Sequence, residues 1–235
     1  MLKNRLYPIR HNKKLMLDEV KKYDSALGYA SDNLRNDKEV VLTAVKRYGH
    51  ALYFASDNLK NDREVVMEAI KKNGEALRYA SDNLKDDREV VLTAIKNNGN
   101  ALKYTSLELK RDREFVLEVV KNDGWALQYA SEVFHRDREV VLEAVKSSAV
   151  VLILAPVELR ADREIMMEAV KNYGLAIRLA PDELRRDVGI VLEAIKNYGD
   201  VLLRESLLWP WYNKHSIRLV GYYRNKNRVK RIKKN

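Results

Sequence analysis

Asp137-Arg138-Glu139-Val140-Val141-Leu142-Glu143-Ala144-Val145-Lys146 is the stretch that decides the fold, because it is one copy of many. Its aspartate recurs at Asp37, Asp62, Asp87, Asp112, Asp137, Asp162 and Asp187, every step being 25 residues, and Asn12 stands one further step upstream. A fixed period of this size marks stacked supersecondary units, each too small to bury its apolar face without a neighbour. Val140, Val141, Ala144 and Val145 have the spacing of one helix face, and the aspartate before them reads as the N-cap, accepting from free first-turn amides at the positive end of the dipole. The lysines near the other end (Lys46, Lys71, Lys96, Lys121, Lys146, Lys171 and Lys196) complement the negative end.

Three residues beyond each lysine stands glycine, at Gly49, Gly74, Gly99, Gly124, Gly174 and Gly199, with Asp24 and Ala149 as the exceptions. That is where a left-handed residue ends a helix, so the spacing predicts a first helix of about 11 residues stopped by glycine at positive φ. A second, shorter helix follows, as in Glu75-Ala-Leu-Arg-Tyr-Ala80, turning alanine, leucine and an aromatic inward. Then Ser31, Ser56, Ser81, Ser106 and Ser131, replaced later by Pro156 and Pro181, start a further helical turn. That turn delivers Leu59, Leu84 or Leu159 to the core. The expectation is an all-α, helical-repeat solenoid of about eight 25-residue units, each a long helix, a short helix and a further helical turn.

The string Asp-Arg-Glu-Val-Val-Leu-x-Ala-Val-Lys-x-x-Gly-x-Ala-Leu-x-Tyr-Ala-Ser resembles a repeat family of unknown function found in giant DNA viruses, protists and amoeba-associated bacteria. The resemblance covers residues 12 to about 203 and departs from the pattern where Val188-Gly189 replaces Arg-Glu. It implies an all-helical tandem repeat and brings no catalytic or binding residues with it.

Charge is unevenly placed. Residues 1–17 carry five cations and no acid, residues 18–203 hold 29 Lys and Arg against 33 Asp and Glu, and residues 204–235 hold ten against one. The domain reading is therefore a basic N-terminal arm (1–11), the solenoid (12–203), an aromatic cap with Leu207, Leu208, Trp209, Trp211 and Tyr212 (204–221), and a basic tail (222–235). A tail with Arg224, Lys226, Arg228, Lys230, Arg231, Lys233 and Lys234 but no acid cannot bury a core; it suits phosphates, with RNA or DNA the expected partner and an acidic protein or anionic surface the alternative. No run approaches the ~18 apolar residues of a membrane span, so the protein is expected to be soluble. The absence of cysteine suits an intracellular reducing compartment or a virion, while the basic start leaves a mitochondrion or another organelle as the alternative.

Chemistry is not expected. His11, His50, His135 and His215 sit at unrelated phases with no His-Glu-x-x-His pair, and each glycine is isolated, outside any phosphate-binding loop. The aspartates are explained by capping, and units stacked about 10 Å apart hold them too far apart to share a cation. No enzyme, metal or cofactor is expected. The aromatic column Tyr29, Phe54, Tyr79, Tyr104 and Tyr129 is expected to be core rather than a base-stacking ladder.

Recognition should lie where copies differ and point outward. The residue after glycine is usually polar or small (Ser25, His50, Glu75, Asn100 and Asp200), yet three successive copies place Trp125, Val150 and Leu175 there. Such a row marks a protein-partner surface, or is covered by the chain's own C-terminal segment. Two functions follow: a non-enzymatic architectural or scaffold protein bridging components of a larger assembly, ribonucleoprotein or virion, with the tail anchored on nucleic acid; or an adaptor gripping a peptide or protein through the solenoid surface. A chain ending at residue 212 should lose most of its salt-sensitive association with RNA or DNA in a filter-binding titration; unchanged binding would remove the anchoring role.

Overall fold

The computed structural model describes residues 7–205, and every element among them is helical. The basic tail residues and the expected cap beyond Glu205 lie outside the described residues. Packing divides the chain into a first unit, residues up to 122 with 129–131, and a second unit, 123–128 with 132 onward. The fold class is a helical-repeat solenoid, and each copy before the last has the three expected parts. Long helices run Lys13–Val20, Lys38–Arg47, Arg63–Lys72, Arg88–Asn97 and Arg113–Asn122 in the first unit, and Arg138–Ser147, Arg163–Asn172 and Val188–Glu205 in the second. Those of the repeating copies from Lys38 to Asn172 are ten residues, one fewer than the spacing suggests.

The second part is a 3-10 helix rather than an α-helix: Gly49–Phe54, Gly74–Tyr79 and Gly99–Tyr104, then Gly124–Tyr129, Ala149–Ile153 and Gly174–Leu179. Short third turns, such as Asp57–Lys60 and Val157–Arg160, complete the copies. The core is the repeated set Val40, Val41, Ala44, Val45, Ala51 and Leu52, buried again at each 25-residue step from there to Ile165, Met166, Ala169, Val170, Ala176 and Ile177. Each such valine or leucine removed from water contributes about 1.5–3 kcal/mol. The expected aromatic core column is only half-buried: Phe54, Tyr79 and Tyr104 end a 3-10 element whose interior is filled by alanine and leucine.

The cap aspartates do two jobs. Asp62 Oδ1 accepts from the Glu64 and Val65 amides at 3.0 and 3.2 Å, closing the first turn of its own helix. Its Oδ2 takes Lys38 Nζ, the first residue of the preceding copy's helix, at 2.7 Å. The same lysine reaches Glu64 at 2.8 Å. Lys13 repeats this on Asp37 and Glu39, Arg63 on Asp87 and Glu89, and Arg138 on Asp162 and Glu164. In these copies the cation that opens the long helix is thus the clasp on the next copy, a role sequence periodicity alone did not assign. Arg163 binds Asp187 only through Nε and Nη2, because Gly189 stands where its glutamate partner would be.

Serine also works twice. In the first unit the Ser56, Ser81, Ser106 and Ser131 amides donate to Arg35, Lys60, Lys85 and Lys110 carbonyls of the preceding copy at 2.9–3.1 Å. The Ser56 and Ser81 hydroxyls donate to Asn36 and Asn61 at 2.6 Å while accepting from the Leu59 and Leu84 amides. Pro156 and Pro181 in the second unit have no amide hydrogen to give.

The glycines correct the sequence reading. Among the described residues no glycine has positive φ. The turn out of the helix is made one residue earlier, in extended backbone: Tyr48 at φ −135°, Asn73 at φ −151°. Glycine is needed because the next copy comes too close. A Cβ on Gly49, Gly74 or Gly124 would stand 2.4, 2.3 or 2.0 Å from the carbonyl oxygen of Ala69, Ala94 or Ala144. Gly199 shows that glycine alone does not stop the helix, since Val188–Glu205 runs through it.

Gly124→Ala should destabilise the chain by about 1–3 kcal/mol, the cost of overpacking a close contact, read from the urea midpoint. A native midpoint would show that the approach is not required. The clasp sets a pH dependence too. Partial burial opposes ionisation of Asp37, Asp62 and Asp162, but the cations and the capped amides outweigh it and hold these carboxyls below their ordinary 3.8. The Val90 amide leads at Asp87, and Arg163 at Asp187, with the same outcome. Carboxyls lowered on folding contribute stability that is full above about pH 4 and is lost as pH falls through their folded values. Lys13 and Lys38, raised above 10.5 by their carboxylate partners, lose theirs only as pH climbs beyond that. The urea midpoint should hold from pH 5 to 9 and fall below about pH 4. Replacing Lys38, Arg63, Arg138 and Arg163 by Gln should make that fall shallower; an identical acid profile would exclude the clasp as its source.

Candidate partner-binding surface

A 3-10 helix has three residues per turn, so side chains at i and i+3 eclipse. The second and fifth residues of each 3-10 element therefore share one face, while the third and fourth, such as Ala51 and Leu52, are buried. In the first unit the facing pairs are His50 with Tyr53, Glu75 with Arg78, and Asn100 with Lys103. In the second unit they are Trp125 with Gln128, Val150 with Ile153, and Leu175 with Arg178.

The first unit's face is polar and held together by rings and cations. Tyr53, 56% exposed, lies 5.1 Å from the Tyr79 ring. Arg78 sits over Tyr79 at 5.0 Å and over Tyr104 at 5.6 Å, and Lys103 over Tyr104 at 5.9 Å. Contacts of this kind lock the side chains to one another. Below them the Lys110 ammonium, pushed under its ordinary value by burial, donates to the Lys103 carbonyl at 2.7 Å.

The second unit's face is apolar at its centre. Val150 is 47% exposed and Ile153 53%, one above the other on Ala149–Ile153. Trp125 and Leu175 take the corresponding positions in the copies before and after, half-buried, so only Val150 of the three expected residues is open to solvent. The Trp125 amide is fixed to Asp123 at 3.0 Å, and Gln128 Nε2 donates to the Trp125 carbonyl at 3.2 Å. The following third turns continue the character. Val133 is 65% and Val157 51% exposed, at outward positions where the first unit has Asp57-Asn58, Asp82-Asn83 and, in its later copy, Leu107-Glu108 with Leu107 61% exposed. Beside them stand exposed acids, Glu132, Glu158, Asp182 and Glu183.

Ile153, Val133 and Val157 were not singled out from sequence. An α-helical period already leaves residues 150 and 153 on one side, about 60° apart, and the 3-10 period of three brings them into line. The signal lay in the fifth residue of each 3-10 element, which changes from Tyr53, Arg78 and Lys103 to Ile153.

Among the described residues no group of three or more His, Cys, Asp or Glu could hold a metal ion. His50 faces Asp24 at 3.4 Å and His135 faces the Leu127 carbonyl at 3.2 Å, two unconnected contacts. No helix of the described residues is long and apolar enough to cross a membrane. What the surface offers is exposed aliphatic area beside a packed interior.

Stacked helical copies with a constant framework and a variable outward face define a repeat protein of the helical-solenoid class. The chain belongs to the family described as Domain of unknown function (DUF4116), whose model matches residues 12–60, 62–110, 112–160 and 162–205. Each match spans two 25-residue copies, so the family's own unit is a pair. No curated protein and no solved structure matches the chain.

Proposed function

We propose that the chain is a non-enzymatic scaffold protein: a rigid helical array that holds a protein partner on the apolar face of its second unit and anchors on nucleic acid through the basic tail. The observation that carries this reading is the change of one outward face from polar to apolar while the inward framework stays constant. Residues that pack the array are nearly invariant over eight copies, so variation at positions 150 and 153 is free of packing constraints and available for recognition. Two exposed β-branched side chains flanked by Trp125 and Leu175 supply the apolar centre that dominates protein interfaces. Arg224, Lys226, Arg228, Lys230, Arg231, Lys233 and Lys234 supply the salt-sensitive attachment. The resemblance to a repeat family of giant DNA viruses, protists and amoeba-associated bacteria is in keeping with such an assembly in a virion or a ribonucleoprotein.

Adaptor action is the second reading, favoured specifically by exposed Val150 and Ile153; in it the partner surface acts alone and the tail is incidental. One experiment addresses both. Full-length protein carrying Val150→Asp and Ile153→Asp should lose the proteins that native chain retains at low salt after nuclease treatment, while His50→Asp and Tyr53→Asp at the corresponding first-unit positions should keep them. Retention by both would remove this face from the proposal. Loss without nuclease dependence in native chain would favour the adaptor over the nucleic-acid-anchored scaffold.

A further inference from the structure

We propose that the occupant of the second unit's apolar and acidic face is the chain's own C-terminal segment, residues 206–235, docking in cis and competing there with any outside partner. The proposal rests on the reading of that face as a binding surface and names what fills it when no partner is present. Three observations point to this segment.

The first is continuity. The last helix, Val188–Glu205, packs against Gly174–Leu179, the element that carries Leu175. Residues 199–204 take, as α-helix, the sequence positions at which every earlier copy places its 3-10 element. The chain therefore leaves the described residues from an element in contact with one edge of the face.

The second is reach. Leu207 to Tyr212 begins two residues past Glu205. At about 3.3 Å per residue six residues span roughly 20 Å, the width of two copies stacked about 10 Å apart. That is the step from Leu175 past Val150 to Trp125.

The third is chemistry. Leu207, Leu208, Trp209, Trp211 and Tyr212 match the apolar centre at Val150, Ile153 and Leu175, and nine cations without an acid follow in residues 206–235. The acids beside the centre are Glu132, Glu158, Asp182 and Glu183. Residues 132–205 hold 11 Lys and Arg against 14 Asp and Glu, whereas residues 7–122 hold 22 against 19. Only the second unit is both apolar on its outward face and acidic, so it alone complements a segment that is aromatic and then basic. Docking also links the two halves of the proposed function: tail cations resting on these acids are withheld from phosphate, and nucleic acid that draws them off uncovers the face.

The chain has no cysteine, so paired cysteines report the contact directly. Full-length protein with Ile153→Cys and Trp209→Cys, treated with a short bis-maleimide at sub-micromolar protein concentration, should give an intramolecular cross-link. The control pair Tyr53→Cys and Trp209→Cys, at the corresponding exposed position of the first unit, should not. Equal yields in both pairs, or none in either, would overturn the proposal; a product only between chains would assign the face to a second copy instead. Adding Glu132→Gln, Glu158→Gln and Glu183→Gln should lower the cross-link yield severalfold at low salt, and an unchanged yield would overturn the part given to the cations. Leu207→Ser with Trp209→Ser in the full chain should increase partner retention. If the cross-link fails while Ile153 is still required to retain a partner, the scaffold reading stands and this inference falls.

Discussion

The structure depends on one carboxylate shared between two copies. Within each unit the cap aspartates Asp37, Asp62, Asp87, Asp162 and Asp187 spend one oxygen on the first-turn amides of their own helix and the other on the cation that opens the preceding one, as Asp62 does between Val65 and Lys38. The first function fixes where a helix starts, and the second fixes where that start stands relative to its neighbour. Neither pair is deeply buried, and an exposed ion pair contributes little by itself. Its value here is geometric: a carboxylate already oriented by two amides is a rigid target, so the long Lys or Arg side chain that meets it sets the register of stacking.

Everything else about the packing follows from that register. With helices brought into line at their starts, their far ends meet so closely that only a hydrogen fits at Gly49, Gly74 and Gly124 against the carbonyl of the next copy. The 3-10 elements then stack with alanine and leucine inward, and the serine amides tie successive third turns together in the first unit. Each copy is stabilised by its neighbours rather than by its own interior, which is why the framework tolerates so little change. Where the pattern does change, several contacts change together. Pro156 and Pro181 give up the serine amide, and the residues facing the lost hydroxyl become Arg136 and Ala161 in place of Asn36, Asn61 and Asp86. The copy that contains Pro156 also carries exposed Ile153 and Val157.

A surface of that kind carries meaning because the rest of the chain shows what the same positions look like without it. In the first unit the eclipsed pairs of the 3-10 face are bound into a lattice of tyrosines and cations. In the second unit the equivalent face is aliphatic and bordered by acids, a combination suited to a segment with apolar anchors and positive charge.

By itself the sequence determined the period, the class of fold, the long helices, their caps and the identity of the core, because a 25-residue recurrence and a helical apolar pattern are local, one-dimensional signals. The start of the variable face was also legible, since Trp125, Val150 and Leu175 break a column that is otherwise polar. The tertiary structure alone decided what glycine is for, what the helix-opening cations do, and which outward residues stand together. Glycine at a helix end looks like a left-handed stop until the neighbouring carbonyl is seen 2.0 Å from where its Cβ would be. Arg63 looks like an ordinary surface charge until its partners prove to be Asp87 and Glu89 of the next copy. Val150 and Ile153 stand one directly above the other because the element is a 3-10 helix. All three depend on distances between copies or on the pitch of a short element, and neither is written in the order of residues within one repeat.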